Sequence, residues 1–375
     1  MSRIHVCLVS AQPIPNLIPL RMDELKPTKA ILLVTPDMEI QSQRLEKVLK
    51  QWGFSVVKKP IAPYNLNSAR ETCLNLIAEN EKEDIILNAT GGTKIMAFAA
   101  FEVFREMGKT IIYVDTQDRV VQVLSPESKN LDFKSLIKVQ TYLSSYGQNI
   151  IRDKKDLDKI KRHKPVIESI VKNINQYEFG ISILNKHTAP YRNIRTFPFE
   201  IEIEEQHKNT EFYDVLTIFH ENKDLYLEDN KIIFSSIEDV EFASGGWLEE
   251  YVFEVVSSLS PTDLKMGVEV EWDQKGTKPP KNEYDVVFTN NNQLYLIECK
   301  TKRFEGFDRI AVNEDPIYKL ESLKDSAGGL YGKGMLVSYK NLTDIQKKRL
   351  KANRLEYCDG SDLKRLREII KKWMQ

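Results

Sequence analysis

Two carboxylates and one lysine are spaced so that they could share a single metal ion. Asp285 lies near the start of an apolar, alternating segment at residues 283–288. Glu298 and Lys300 lie in a second such segment at 295–300, and the short polar stretch between the two segments predicts a β-hairpin. Because side chains two residues apart in a strand project from the same face, Glu298 and Lys300 should face one side of the sheet. Carboxylate oxygens of this kind suit Mg²⁺ or Mn²⁺.

A metal at this hairpin would polarise a phosphate and lower the pKa of a bound water, while the lysine could orient that water or stabilise developing charge. The other interpretation is that these side chains form only the solvated face of a strand. The spacing of the three residues does not decide between the two interpretations. The decision depends on the elements around the hairpin and on any further carboxylate that they bring to it.

A helix predicted after Gly245 and Gly246 could supply that further carboxylate. Its apolar stripe consists of positions 248, 251, 252, 255, 256 and 259. At about 100° per residue, Glu249 falls at the edge of this stripe, whereas Glu250 points away from it. We therefore predict that Glu249 faces the hairpin and that Glu250 faces water.

The first ~145 residues alternate between apolar strands and amphipathic helices, which is typical of a parallel sheet covered on both faces. The predicted strands are 4–9, 30–35, 54–57, 84–89 and 109–114, and the predicted helices are 37–52, 67–80 and 93–107. A further strand at 119–124 would add an antiparallel edge. This pattern predicts a Rossmann-like domain, and such sheets bind ligands outside the carboxyl ends of their strands.

Two loops at predicted carboxyl ends have compositions suited to a nucleotide or phosphate. The first, 10–16, is polar and contains two prolines, and the second, 88–94, leads directly into a helix. Glycines let the backbone approach a ligand, and a helix start offers free N–H groups to an anion. The simpler interpretation of the second loop is a Gly-Gly turn with Thr93 as a helix N-cap. No Walker A or G-x-G-x-x-G motif is present, which disfavours an NTPase or a dinucleotide dehydrogenase.

Length and composition favour a multidomain protein without a membrane segment. The 375 residues exceed one ordinary core, and the formal net charge of -1 gives no global attraction to nucleic acid, so any phosphate binding must be local. No apolar run reaches about 18 residues and no signal-peptide pattern is present, so we expect a cytoplasmic protein. The four cysteines show no C-x-x-C spacing, and we expect them to be reduced.

We divide the chain into domains at 1–145, 146–240 and 241–375, the middle one being a connecting module. Within that module we predict a lysine-rich helical segment at 152–172 and a small antiparallel sheet formed by 199–204 and 224–234. A helical tract at 131–146 would precede the module. After the hairpin we expect a helix, a flexible loop, a strand and a last helix. Their ranges are 315–324, 326–334, 335–338 and 362–374.

In this order the motifs resemble two known families. Glu249, Asp285 and the Glu298-Cys299-Lys300 sequence resemble the PD-(D/E)xK restriction-endonuclease-like nucleases, with Tyr284 where that family has proline. Residues 10–16 and 88–94 resemble the ligand loops of the CARF domain, the Rossmann-like sensor of cyclic oligoadenylates in type III CRISPR defence. The combination resembles the CARF–endonuclease fusions called Card or Can nucleases, and it covers nearly the whole chain.

The resemblance implies a nuclease controlled by a nucleotide. Asp285 and Glu298 would ligate Mn²⁺ or Mg²⁺, Glu249 would support the metal site, and Lys300 would orient the attacking water. The protein would be a homodimer that encloses one cyclic tetra-adenylate between its CARF domains. The substrates would be DNA, which the protein would nick or cut in single strands, and single-stranded RNA as a second class. No membrane partner is implied.

The resemblance also implies which residues bind the activator. In the first loop, Ser10, Gln12 and Asn16 would contact adenine or ribose. In the second loop, the residues around the phosphates would be Thr90, Gly91, Gly92, Thr93 and Lys94. Three other functions stay open: a ligand-controlled nucleic-acid-binding regulator that does not cut, a ring nuclease that degrades its own ligand, and a stand-alone endonuclease.

Overall fold

The N-terminal domain is built on a seven-stranded sheet. In the computed structural model, the described residues are 2–134, 136–154, 157–208, 210–273, 279–301 and 316–375. The strands are β1 (Arg3–Leu8), β2 (Lys29–Val34), β3 (Ser55–Pro60), β4 (Asp84–Asn88), β5 (Thr110–Asp115), β6 (Val120–Ser125) and β7 (Lys129–Asp132). The helices are α1 (Ile14–Leu17), α2 (Glu39–Gln51), α3 (Leu66–Glu79), α4 (Lys94–Glu106) and α5 (Val139–Ser145).

The strand order β3-β2-β1-β4-β5-β6-β7 is that of a Rossmann-like sheet with an added antiparallel edge. Strands β1 to β5 pair in parallel, whereas β6 and β7 pair antiparallel. Alternate residues of β1 enter different cores, since Val6 and Leu8 pack in one hydrophobic cluster and Cys7 packs in another. Helices cover both faces, so the strands are apolar throughout. The predicted Rossmann-like domain is confirmed.

The predicted helical tract at 131–146 is wrong over its first half. Strand β7 begins at Lys129 and pairs with β6, and α5 starts only at Val139. The apolar residues of this region belong partly to β7 and partly to α5. Their combined spacing therefore resembles that of a single helix that does not exist. Tyr142 and Leu143 of α5 are fully buried in the hydrophobic cluster that the N-terminal and C-terminal sheets share.

His5 makes the stability of the N-terminal domain dependent on pH. Its side chain is fully buried in β1 and neither ring nitrogen has a hydrogen-bond partner. Burial lowers the pKa of His5 to about 4 from an ordinary value of 6.5, so the unfolded chain takes up the proton first as the pH falls. The stability that neutral, buried His5 contributes is complete above pH 6.5, the pKa in the unfolded chain. It is lost as the pH falls from 6.5 to about 4, the pKa in the folded protein.

We expect the free energy of unfolding to be about 2 kcal/mol lower at pH 5 than at pH 8 because of His5 alone. Urea unfolding of the wild type and of His5→Leu at both pH values measures this contribution. The variant should lose less stability over the same interval. An equal loss in the two proteins would show that His5 is not responsible.

The middle of the chain forms a helical module with a small sheet. Its helices are α6 (Leu157–Lys172), α7 (Ile174–Thr188), α8 (Glu211–Glu221) and α9 (Ile237–Glu241). Its strands are β8 (Gln148–Lys154), β9 (Phe199–Glu202), β10 (Tyr226–Glu228) and β11 (Lys231–Phe234). The order β10-β11-β9 is antiparallel and confirms the predicted small sheet. Strand β8 instead joins the sheet of the C-terminal domain, and the domain limits at 145 and 240 stay a prediction.

The C-terminal domain contains a six-stranded mixed sheet in the order β16-β15-β14-β13-β12-β8. Its elements are α10 (Trp247–Ser257), β12 (Asp263–Trp272), β13 (Lys281–Asn290), β14 (Gln293–Lys300), α11 (Pro316–Gly328), β15 (Gly332–Ser338), α12 (Asp344–Ala352), β16 (Leu355–Asp359) and α13 (Leu366–Trp373). Strands β12 to β14 are antiparallel, and β14, β15 and β16 are parallel. This is the predicted restriction-endonuclease-like α/β arrangement, and the predicted fold class is confirmed.

The predicted hairpin is confirmed and has a tighter turn than expected. Strands β13 and β14 are joined by Asn291 and Asn292 alone, with φ of 50° and 60°. Asparagine tolerates this left-handed conformation, and two such residues make the turn that matches the twist of paired strands. The carboxyl end of β14 is therefore held in a fixed register with the amino half of β13.

Several expectations for the C-terminal half are corrected or lie outside the described residues. The segment at 326–334 is not a flexible loop, because it holds the end of α11, a 3-10 turn at Gly329–Tyr331 and the start of β15. Helix α12 and strand β16 were not predicted. The sequence also predicts an exposed cationic loop at 275–281 and a basic continuation of the second hairpin strand at 301–303. Most of that loop, and residues 302 and 303, lie outside the described residues. Among the described helices, none has the length and apolar character needed to cross a membrane.

Candidate active site

Asp285 and Glu298 line the same cavity, which has a volume of about 390 Å³. Val286 pairs with Ile297 in the hairpin, so one step further along this register Asp285 lies opposite Glu298. The Asp285 Oδ2 atom accepts a hydrogen bond from the Cys299 N–H at 2.6 Å, which fixes the carboxylate against β14. The hairpin thus presents both carboxylates on one face.

Helix α10 brings Glu249 to this cavity. The chain turns into the helix at Gly245, whose φ is 126°. A Cβ atom at Gly245 would lie 2.2 Å from Thr301 Oγ1, so only glycine allows the helix start to approach the end of β14 so closely. Glu249 is in the first turn, lines the cavity and keeps 25% of its side-chain surface exposed.

Three lysines contact these acids. Lys300 Nζ lies 2.7 Å from Glu298 Oε1, and Lys319 Nζ lies 3.0 and 3.2 Å from the two Glu298 oxygens. Lys154 Nζ lies 3.9 Å from Glu249 Oε2. Lys319 and Lys154 were missed from the sequence. They come from α11 and β8, and nothing in their local pattern shows that these elements meet at the hairpin.

The cavity disfavours additional negative charge. Burial, together with the charges of Glu298 and Glu249, raises the pKa of Asp285 well above its ordinary value. Burial likewise raises the pKa of Glu249 to about 7. Burial alone would lower the pKa of Lys300, but the adjacent Glu298 carboxylate raises it overall. Lys300 is therefore a cation at neutral pH.

These residues fit a divalent ion by their chemistry. Three carboxylates face one partly buried space, and Glu298 and Glu249 add to burial in raising the pKa of Asp285, so a cation between them would remove an unfavourable repulsion. Oxygen ligands of this kind suit Mg²⁺ or Mn²⁺. Among the described residues, however, the carboxylate oxygens of Glu249, Asp285 and Glu298 do not all lie within 4.8 Å of one another. Glu298 is held instead by Lys300 and Lys319, with which an ion would compete.

The expectation that Glu250 faces water is wrong. Its Oε2 atom lies 2.8 Å from His163 Nδ1, and only 14% of its side chain is exposed. Helix α6 of the connecting module covers this side of α10, and His163 stacks on Phe242 at a ring-centroid distance of 3.7 Å. A helical stripe shows which side of α10 is apolar, but it does not show that a second domain covers the polar side.

The two predicted activator loops lie side by side at the carboxyl ends of β1 and β4. A Cβ atom at Gly91 would lie 2.2 Å from Leu8 O and 3.4 Å from Ser10 Oγ, so the glycine allows the loops to touch. Gly92 has a φ of 75°, a conformation that favours glycine. Thr93 is the N-cap of α4, where its side chain accepts from Met96 N–H.

Two of the predicted loop residues hydrogen-bond within the domain. Asn16 is buried, donates to Leu8 O and accepts from Asn88 Nδ2. Thr90 Oγ1 donates to Asn88 Oδ1 at 2.6 Å and accepts from Val114 N–H at 2.8 Å. The side chains of Asn16 and Thr90 therefore hold the two loops together from beneath. Lys94 is exposed at the first position of α4.

Gln12 faces the nuclease domain. Its Oε1 atom accepts from Tyr146 OH at 2.9 Å and from the Leu330 N–H at 3.2 Å. Leu330 belongs to the 3-10 turn that follows α11. The helix with Lys319 thus ends at the loop predicted to bind a nucleotide, a contact that the sequence does not reveal.

Comparison with known proteins supports both halves of this description. The Card1 CARF domain family matches residues 4–142, and the Card1-like endonuclease domain family matches 237–375. No curated protein gives a significant match.

Solved structures match the chain over nearly its full length. The protein VC1899 from Vibrio cholerae is 25% identical with a TM-score of 0.90, covering 99% of this chain and 98% of the other. Can2 from Sulfobacillus thermosulfidooxidans, solved with cyclic tetra-adenylate, is 28% identical with a TM-score of 0.79, covering 99% and 97%. A type III CRISPR defence DNA nuclease is 16% identical with a TM-score of 0.59, covering 94% and 52%, and shares the fold alone.

The fold and the cavity define a sensor domain joined to a nuclease. The chain is a Card1-type CARF domain fused to a Card1-like endonuclease domain, as its motifs suggested.

Proposed function

We propose that this protein is an endonuclease that requires Mn²⁺ or Mg²⁺ and is activated by cyclic tetra-adenylate. The observation that carries the proposal is the cavity in which Glu249, Asp285, Glu298 and Lys300 meet. Its substrates are DNA, cut by nicking or in single strands, and single-stranded RNA. The similarity to Can2, which was solved with cyclic tetra-adenylate, supports the choice of activator.

Each residue of the cavity has a separate task in this proposal. Asp285 and Glu298, with Glu249 beside them, would hold the ion, which polarises the scissile phosphate and lowers the pKa of a water. Lys300 donates to the attacking water and orients it. Lys319 and Lys154 stabilise negative charge that develops on the phosphate, because both ammonium groups already lie at the cavity wall.

The activator surface is formed by the two touching loops. Ser10, Gly91 and Gly92 offer a shallow floor, the α4 start offers N–H groups to a phosphate, and Lys94 adds an exposed charge. Asn16, Thr90 and Thr93 keep the loops in place. Gln12 would contact the activator only after its hydrogen bond to Leu330 of the nuclease domain breaks.

Lys94→Gln should raise the activator concentration needed for half-maximal cleavage by about tenfold, since an exposed charge-assisted contact to phosphate is lost. Activator titration of the cleavage rate measures the effect. Lys82→Gln is the matched control, because Lys82 is exposed and precedes β4 at the opposite edge of the sheet. Equal shifts in the two variants would contradict a phosphate contact at Lys94.

Exposed apolar side chains near Lys94 support a homodimer. Tyr64 is 77% exposed and Phe98 is 64% exposed. Tyr64 follows Pro63, whose carbonyl accepts from Thr93 Oγ1, and Phe98 lies on α4. Large apolar groups exposed together are typical of an interaction surface. A second sensor domain placed there would close the activator between two copies of the loops.

Gln12 is in a position to couple the activator to cleavage. Gln12→Ala removes the hydrogen bonds to Tyr146 and Leu330, so the ratio of cleavage rates with and without saturating activator should fall about fivefold. Gln140→Ala, an exposed glutamine on α5, is the matched control. An unchanged ratio in Gln12→Ala would show that this contact does not transmit activation.

The substrate class is tested by incubating purified protein with Mn²⁺ and either supercoiled plasmid or labelled single-stranded RNA, with cyclic tetra-adenylate present. Nicked or linear plasmid, with RNA cut in parallel, is the expected result. Chromatography of the activator over the same hours detects ring-nuclease activity. Binding of both nucleic acids without any cut product would instead identify a regulator.

A further inference from the structure

Three metal-binding side chains meet in the connecting module, outside the nuclease cavity. His187 lies in the last turn of α7, Glu204 precedes the 3-10 turn Glu205–His207 after β9, and His207 is the last residue of that turn. One ligand atom from each can be chosen so that all three lie within 4.8 Å of one another. In the described ranges this is the only group of three such residues that converges in this way.

One ring nitrogen of each histidine in this cluster has no hydrogen-bond partner. His187 Nε2 and His207 Nδ1 are both buried and neither makes a hydrogen bond. Buried polar atoms are nearly always paired in native proteins, so two orphans in one place need an explanation.

The surroundings shape the cluster for a ligand. The two imidazoles meet edge to face at 5.7 Å, and both pack against the buried Phe212 ring. The Gln206 side chain donates to the Glu204 carboxylate and orients it. Glu204 Oε2 lies 4.0 Å from His207 Nδ1, too far for a hydrogen bond. Two ligands at about 2.0–2.2 Å from one tetrahedral ion lie roughly 3.3–3.6 Å apart, so a small approach of these two side chains would let both bind the same ion.

We propose that His187, Glu204 and His207 form a second metal site, which binds a divalent transition metal and suits Zn²⁺ best. Two imidazoles with one carboxylate are typical ligands of zinc, whereas Mg²⁺ prefers oxygen ligands alone. With three protein ligands, a tetrahedral ion keeps one position for water. The site differs from the nuclease cavity in residues, ligand type and location.

The position of this metal site gives it a structural role. Asn185, two residues before His187, donates to Thr301 O at 2.9 Å, at the end of β14. Arg192, five residues after His187, lines the nuclease cavity and donates to Ser244 Oγ at 2.9 Å. A metal between α7 and the segment after β9 would fix the chain that forms this wall of the cavity.

The test uses full-length Asp285→Asn/Glu298→Gln protein, in which the proposed nuclease site is disabled, after EDTA treatment and its removal. Titration calorimetry with Zn²⁺ alone should give one ion per chain with submicromolar affinity. Adding His187→Gln and His207→Gln should abolish this binding. His220→Gln is the matched control, because its ring lies in the same module but contacts the backbone at Leu225.

A second measurement does not depend on folding of the histidine variants. Diethyl pyrocarbonate labelling of the parent protein, read by mass spectrometry, should decrease at His187 and His207 when Zn²⁺ is added and stay constant at His220. Equal labelling with and without Zn²⁺ would overturn the proposal. Unchanged zinc stoichiometry in the double histidine variant would also overturn it, without affecting the proposed nuclease activity.

Discussion

Glu298→Gln should lower the rate of nucleic-acid cleavage by roughly three orders of magnitude. Glu298 is 2% exposed and contacts both Lys300 and Lys319 at the centre of the cavity. The amide keeps its size but removes the charge that holds a cation, and electrostatic stabilisation by such an ion amounts to about 4 kcal/mol. Initial rates of plasmid nicking at saturating activator and Mn²⁺ measure the effect.

Glu356→Gln provides a matched control for that experiment. Glu356 lies on β16, in the same sheet, but its side chain is exposed and strand β15 separates β16 from the hairpin strand β14. Its rate should stay within about twofold of the wild type, as is usual for surface changes. Near-wild-type cleavage by Glu298→Gln would show that the carboxylate cavity is not the site of cleavage.

Lys300→Met should lower the cleavage rate by about 100-fold to 1,000-fold. The methionine keeps the aliphatic bulk but removes the ammonium group that lies 2.7 Å from Glu298 and faces the cavity. Removing one preorganised donor from a developing charge has an effect of about this size. Single-turnover cleavage of labelled substrate measures it without interference from product release.

Lys351→Met, at an exposed position on α12, tests whether loss of any lysine charge is sufficient. This variant should cleave at nearly the wild-type rate. Lys300→Arg should recover part of the lost rate, because it restores a cation in a larger shape. A Lys300→Met rate equal to that of Lys351→Met would exclude a role for Lys300 in orienting the water.

Local patterns sufficed for the elements that carry the catalytic acids. The hairpin could be predicted because alternation and a polar turn act over a few residues, and its pairing then places Asp285 opposite Glu298. Glu249 could be placed from the apolar stripe of α10. The Rossmann-like order followed from apolar strands separated by amphipathic helices.

Contacts between distant segments could not be predicted in this way. Lys154, Lys319 and the His163 partner of Glu250 come from elements far away in the chain, and their own neighbours give no sign of the meeting. The resemblance to the CARF ligand loops implied that Gln12 contacts the activator, although its side chain reaches Leu330. The His187 and His207 cluster is likewise created by tertiary packing alone.

The most direct test is plasmid cleavage by the wild-type protein with Mn²⁺ and cyclic tetra-adenylate, compared with reactions that lack either one. The proposed function predicts rapid nicking only when both are present, and none after EDTA is added. Nicking at the same rate in EDTA would contradict the metal-dependent cavity. Nicking at the same rate without the cyclic nucleotide would contradict control by the sensor domain.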